Sequence, residues 1–240
     1  MSVFVIADLH LDTVTNEKSM EIFGNKWQGY LKKIKNNWMR VVGDNDTVII
    51  PGDISWALAT EDSIADLKWI DSLPGKKIIM KGNHDFWWST VSKLKRFFAQ
   101  NNITSIDILH NNAIEVENFI VAGSRGWFVD KSVQPSKSVA ADFEKIINRE
   151  VIRLKLSLEC AKAMQETTKK EIIVFFHFPP VWRDFECKEI LELLKQYNIS
   201  RCYFGHIHGC YTQSDVFNWD NIEFRMISAD FIDFIPQIIV

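Results

Sequence analysis

Five short apolar runs in this chain each end at a segment carrying Asp, His or Asn, and this constrains the fold more than any other feature. Val3–Ala7 ends at Asp8-Leu9-His10. Val48–Pro51 ends at Gly52-Asp53. Ile78–Met80 leads into Gly82-Asn83-His84-Asp85. Ile172–Phe176 ends at His177, and Cys202–Phe204 leads into Gly205-His206-Ile207-His208. Apolar, β-branched runs of this length read as buried strands. Strand C-terminal ends in α/β folds converge on the ligand-binding crevice. The five segments are therefore expected to meet at one place.

Helical and further strand patterns separate these runs. Trp27–Val42 has Trp27, Tyr30, Leu31, Ile34, Trp38 and Val41 at helical spacing. Thr60 offers an N-cap for a helix through Ile70, and Ser89 one for a helix to Gln100. Ser105–Leu109, Ala113–Val116 and Phe119–Ala122 read as strands, with Asn111-Asn112 as the turn between the first two. Ser136–Thr167 reads as mostly helical, with at most one break, and Cys187–Tyr197 as another helix. Ile222–Ile227 and Phe234–Val240 read as closing strands. Helices flanking a mixed β core satisfy this order, which makes the chain α/β.

Bulk properties narrow the class. The 240 residues suit a single domain, 1–240, with no Pro/Gly/Ser-rich linker and no internal repeat. The net charge of -3 gives no strong sign of nucleic-acid binding, since a non-specific binder is usually basic. The apolar runs are too short to span a bilayer, and no secretory signal is expected at the N-terminus. Cys160, Cys187, Cys202 and Cys210 lack tight CxxC spacing. Reduced thiols in the cytoplasm are the expected setting.

Asp, His and Asn supply oxygen and nitrogen ligands suited to borderline divalent ions. Five of the six histidines fall in the five segments; His110 lies outside them. Each segment alone has a plainer explanation. Asp8 can cap a turn, Gly52-Asp53 can be an ordinary turn, His177 a buried satisfied histidine, and His206 and His208 surface imidazoles. Taken together, the plainer explanation needs five coincidences in one structural setting, and a metal site becomes the stronger reading.

The order D-x-H, G-D, G-N-H-D, H, G-H-x-H resembles the calcineurin-like metallophosphoesterase superfamily. The motifs run from residue 8 to residue 208 and match without a missing ligand. The resemblance implies a four-layer αββα sandwich with two mixed β-sheets flanked by helices. It implies that Asp8, His10 and His208 hold one metal, that Asn83, His177 and His206 hold the other, and that Asp53 bridges the two. His84 is expected outside the ligand set as the catalytic residue, stabilising the transition state or protonating the leaving group.

The expected activity is hydrolysis of a phosphate mono- or diester by in-line attack of a metal-bridging hydroxide, on two divalent ions. Mn, Fe or Zn suit the ligands best, with Mg also compatible. A small-molecule phosphate ester is the expected substrate, nucleotides among the candidates. A protein phosphatase or a nuclease with the same centre is the alternative, as is a catalytically inactive interaction module.

Three further residues carry open readings. Asp12 is expected to hydrogen-bond a metal ligand or to be a solvated loop carboxylate. Asp85 is expected to orient His84 or to cap the next helix. Arg125 is expected to contact a substrate phosphate or to form a structural ion pair. Of the tryptophans beside the motifs (Trp56, Trp87, Trp88, Trp127 and Trp182), most are expected in the core and one or two at a pocket rim.

Overall fold

The computed structural model describes residues 1–14, 18–128 and 137–240, with the side chains of 137–142 excepted. In chain order the elements are β1 (Val3–Val5), α1 (Tyr30–Val41), β2 (Thr47–Ile50), α2 (Ile64–Asp71), β3 (Lys76–Ile79), α3 (Val91–Gln100), β4 (Ile106–Ile108), β5 (Ile114–Val116) and β6 (Phe119–Ser124). They continue as α4 (Lys137–Thr168), β7 (Glu171–Phe176), β8 (Val181–Trp182), β9 (Phe185–Glu186), α5 (Lys188–Gln196), β10 (Arg201–Phe204), β11 (Val216–Trp219), β12 (Ile222–Met226) and β13 (Gln237–Ile239).

The chain divides into two compact units. The first holds Met1–Ile108, Gly205–Gln213 and Ile227–Val240. Its sheet runs β13-β1-β2-β3-β4, with β13 antiparallel and the other pairings parallel. β2 is buried along its whole length, as expected of a central strand in a parallel sheet. α1 places Tyr30, Ile34 and Trp38 four residues apart on one buried face, with lysines at 32, 33 and 35 on the others. Leu67 and Ile70 of α2 and Leu94 and Phe98 of α3 join the same core, packing with Phe4, Val48 and Ile50 of the strands.

The second unit holds Leu109–Phe204 and Ser214–Met226. Its sheet runs β11-β12-β10-β7-β6-β5, parallel in the middle and antiparallel at both edge pairings. α4 packs on β6 and β7 and against α5. α5 buries Ile190, Leu191, Leu193 and Leu194. These are the two large mixed sheets, flanked by helices, that the motif resemblance implies. Among the described residues, no helix is long and apolar enough to cross a membrane.

Several sequence boundaries move. α1 starts at Tyr30 rather than Trp27, because Gly29 takes a left-handed φ of 62° and Asn25–Trp27 forms a separate 3-10 turn. α2 is preceded by Ser63, not Thr60, whose hydroxyl donates to the Trp87 carbonyl at 2.7 Å. The cap of α3 is Thr90 rather than Ser89; its hydroxyl accepts from the Lys93 N–H. α4 is one unbroken helix, and Ser136 lies outside the described residues. The last strand is shorter than expected, since Phe234 sits at φ 58°. The β8–β9 hairpin and β11 carry no sequence expectation at all.

Candidate metal centre

Four residues of the first unit, each just after a strand, have strained backbone. Asp8, His10, Asp53 and His206 have φ values of 61°, 45°, 50° and 68°. L-residues avoid this region at a cost of roughly 1–2 kcal/mol each, and such strain gathers at functional sites. Here a ladder of main-chain bonds enforces it. The Asp8 N–H donates to the Gly52 carbonyl at 3.1 Å, that of His10 to Asp53 at 2.9 Å, and that of Leu11 to Ile54 at 2.9 Å. The segments after β1 and β2 thus stay paired beyond the regular sheet, with their side chains re-aimed.

The result is a cluster. Asp8, His10 and His208 each offer a ligand atom, and these atoms lie within 4.8 Å of one another. Nε2 of His10 is 3.4 Å from Nε2 of His208 and 3.6 Å from Oδ2 of Asp53. Asp53 and His206 also bring a carboxylate oxygen and a ring nitrogen within 4.8 Å. Oδ2 of Asp8 accepts the His206 N–H at 2.8 Å, and Oδ1 of Asp53 accepts the His84 N–H at 2.8 Å. The Asn83 N–H also favours the Asp53 carboxylate. His177 lies in the second unit, buried, directly after β7.

Two glycines permit this crowding. A Cβ on Gly82 would stand 2.1 Å from Oδ1 and 2.2 Å from the main-chain N of Asp53. A Cβ on Gly205 would stand 2.7 Å from both the Ala7 Cβ and Oδ2 of Asp8. Each glycine lets one strand-end loop lie directly against a carboxylate on another.

The electrostatics match a cation site. Burial pushes the Asp8 carboxyl up to about 7; the His208 ring opposes this and Asp53 reinforces it. Burial also raises Asp53, against the pull of the His84 N–H. Buried carboxylates this close repel one another, and a divalent ion relieves that repulsion while imidazoles leave it net positive. Asp8, His10 and His208 therefore fit a borderline divalent metal by donor type, crowding and charge.

Asp230 is the residue that the sequence reading missed. It is fully buried, and its Oδ1 lies 2.7 Å from Nδ1 of His208. Its Oδ2 accepts the Tyr211 hydroxyl at 2.9 Å and the Gly209 N–H at 3.2 Å. Burial disfavours its charge, but the His208 hydrogen bond and these donors win and hold its carboxyl below the usual range. His208 is raised in turn: its own burial lowers it, but the Asp230 bond together with the charges of Asp8, Asp230 and Asp53 outweighs that. A carboxylate on the far nitrogen fixes the imidazole so that Nε2 faces a metal.

The three open residues have the following surroundings. The cap of α3 is Thr90, and Asp85 lies between two loops. Its fully buried carboxylate accepts the N–H groups of Ile54 (2.8 Å), Ser55 (3.2 Å) and Gly82 (2.7 Å) and the Trp87 indole (3.0 Å). It ties the Asp53 loop to the Asn83 loop. In the second unit, an Arg125 nitrogen lies 3.8 Å from the buried Glu150 carboxylate, and its guanidinium lies over the Phe178 ring. Asp12 is half-buried and accepts the Lys18 N–H at 3.0 Å. Trp87, Trp88 and Trp182 are buried, whereas Trp56 stacks on His10 at a ring separation of 4.8 Å.

Comparison with known proteins gives the same architecture. The phosphopantetheinyl hydrolase of Mycobacterium tuberculosis superposes with a TM-score of 0.54 at 12% identity, covering 100% of this chain and 95% of that one. The protein TT1561 of Thermus thermophilus gives a TM-score of 0.54 at 14% identity, covering 95% of this chain and 89% of that one. At such identities the likeness is one of fold. The Gene 66 protein of Mycobacterium phage L5 is 37% identical over 81 residues, which is 33% of this chain and 37% of that protein. The family model for calcineurin-like phosphoesterases matches residues 1–210, and the chain belongs to that family.

Proposed function

We propose that this family member is a dinuclear metal-dependent phosphohydrolase acting on a small-molecule phosphate mono- or diester. The observation that carries the reading is the joining of Asp8 and His10, both on strained backbone, with His208, and the opening of His10 and His208 onto the same cavity as His84. Asp8, His10 and His208 are assigned to one ion. On the family order, Asn83, His177 and His206 are assigned to the other, with Asp53 as the bridge and residues 1–240 acting as one catalytic domain. Two divalent cations, when bound, supply charge for the phosphoryl oxygens and lower the pKa of water. Mn, Fe or Zn suit the donors best, and Mg is compatible.

The chain's own residues then have defined tasks. The Asp8–His206 and Asp53–His84 hydrogen bonds hold the carboxylates in place. Attack is direct and in line. The water oxygen bonds to phosphorus and the ester P–O bond breaks; one water proton stays with the released phosphate, and His84 stabilises the transition state or gives the alcohol its proton and regains one from solvent. The His84 ring lies 5.6 Å from that of His10 and 4.5 Å from that of Trp56, at the mouth of the cluster. Cys160, Cys187, Cys202 and Cys210 lack tight CxxC spacing, and a reducing cytoplasm is the setting that goes with this reading. Nucleotides are among the candidate substrates.

The test is hydrolysis of p-nitrophenyl phosphate and of its bis-ester by metal-stripped protein reloaded with Mn²⁺, Fe²⁺, Zn²⁺ or Mg²⁺. Turnover with at least one ion is expected; none with any ion sinks the hydrolase reading. His84→Ala should keep bound metal while turnover falls by about 10²–10⁴-fold, the usual contribution of a positioned proton donor. An unchanged rate removes His84 from the mechanism.

A further inference from the structure

The cavity over the cluster has an unusual wall. Its volume is about 430 Å³, within the range of small-molecule sites, about 300–1,000 Å³. One side is His10, Asp53, His206 and His208, with His84 beside them. The other side is Met20, Phe23, Trp27, Trp56 and Tyr211. Among the described residues lining it there is no lysine or arginine. Positive charge at the cavity comes from the imidazoles and whatever they hold, and at its rim from Lys26, whose ammonium lies 5.1 Å from the centre of the Tyr211 ring.

The exposure of this wall is as informative as its composition. Phe23 is 65% and Tyr211 46% solvent-exposed. Phe86 is 60% exposed, with its ring 6.3 Å from that of His84. Isolated exposed apolar residues are ordinary, but large ones gathered at the mouth of one cavity mark a binding surface.

Accepting the phosphohydrolase reading, we propose that the wall of Phe23, Trp56 and Tyr211 selects phosphate esters whose leaving group is a flat aromatic or apolar alcohol. A polar leaving group such as glycerol would be desolvated against those rings without hydrogen bonds in return. An aromatic leaving group can stack on Trp56 and Phe23 while its phosphoryl group faces the imidazoles.

Binding separates this proposal from the hydrolase reading. Metal-loaded protein is titrated calorimetrically with two non-hydrolysable phosphonates, 1-naphthylmethylphosphonate and methylphosphonate. The naphthyl compound is expected to bind at least tenfold more tightly, and Phe23→Ser to reduce that preference severalfold. Phe23 is mostly exposed, so the variant should fold, and an unchanged thermal midpoint checks this. Equal affinities, or a preference that Phe23→Ser leaves unmoved, overturn the proposal. Tight naphthyl binding with no hydrolysis of 1-naphthyl phosphate under any metal keeps the pocket and sinks the hydrolase. Hydrolysis of 1-naphthyl phosphate with no preference in binding does the reverse.

Discussion

Nδ1 of His208 and Oδ1 of Asp230 stand 2.7 Å apart, and this pair aims the imidazole at Asp8 and His10. The Asp230 carboxylate is fully buried and reaches His208, Gly209 and Tyr211 at once. Its removal should therefore act on metal affinity before it acts on fold. Asp230→Asn keeps the shape but loses the charge that fixes the imidazole. Affinity measured by competition with a chelator is expected to fall about 10–100-fold. An unchanged affinity would show that His208 is oriented by other means.

The same pair shows where the sequence was legible and where it was not. Asp8, His10, Asp53, His206 and His208 could be picked out because each follows an apolar strand within a few residues. Their signal is local in the chain. Asp230 bonds a residue 22 positions away, and it follows β12 without a neighbouring His or Gly to mark it. Asp85 bonds Ile54 and Ser55 from 31 and 30 positions away, so its role as a tie between loops had no local sign either. The cap of α3 was one residue out because Ser89 and Thr90 are both good caps, and only three-dimensional geometry chooses. β11 was recoverable: Asp220 and Asn221 both have positive φ, the pattern of a tight hairpin turn joining it to β12.

Gly82 and Gly205 give a prediction about crowding. Gly82→Ala places a methyl 2.1 Å from Oδ1 of Asp53 and 2.2 Å from its main-chain N, so the methyl fits only if the Asp53 backbone shifts. Stability should fall by about 1–3 kcal/mol or more, as in other overpacked sites, and metal affinity should fall with it because Asp53 must move. Gly205→Ala should behave similarly through Asp8 and Ala7. Gly43→Ala, whose Cβ would meet only Oδ2 of Asp46 at 3.4 Å, is the control and should stay within about 0.5 kcal/mol. Urea unfolding of the three variants checks this; equal midpoints for Gly82→Ala and Gly43→Ala would contradict the close approach.

Asp85→Asn tests the tie between the loops. Oδ1 accepts Ile54, Ser55 and the Trp87 indole, and the amide oxygen of Asn can replace it. Oδ2 accepts the Gly82 N–H at 2.7 Å, and there the Asn NH₂ would set donor against donor. One buried donor is left unsatisfied, which costs about 1–3 kcal/mol. Exchange of the Gly82 amide hydrogen should accelerate selectively, with α1 and β13 unaffected. Unchanged protection at Gly82 would mean that the loop is held elsewhere.

Lys77 carries the pH prediction, because it is buried in the first unit's sheet, and its nearest mutual partners are not the candidate metal ligands. Its side chain is fully buried, donating to the Leu73 carbonyl, to Ser105 Oγ at 3.1 Å and to the Asp71 carbonyl at 3.4 Å. Burial pulls its pKa down from 10.5 to about 8, with Asp71 and Asp44 opposing. Between these values the unfolded chain binds more protons than the folded one, so stability rises with pH across that window. Below about 8 the ammonium is charged in both states and the full cost of burying it stands; above 10.5 it is neutral in both and the cost is gone. The range corresponds to at most about 3 kcal/mol. Lys77→Met removes the titration. The stability of the wild type relative to this variant, from urea midpoints between about pH 7.5 and 10.5, should therefore improve steadily with pH. A gap that stays constant would mean that Lys77 is ionised in the folded protein throughout, its charge carried by the carbonyls of Leu73 and Asp71.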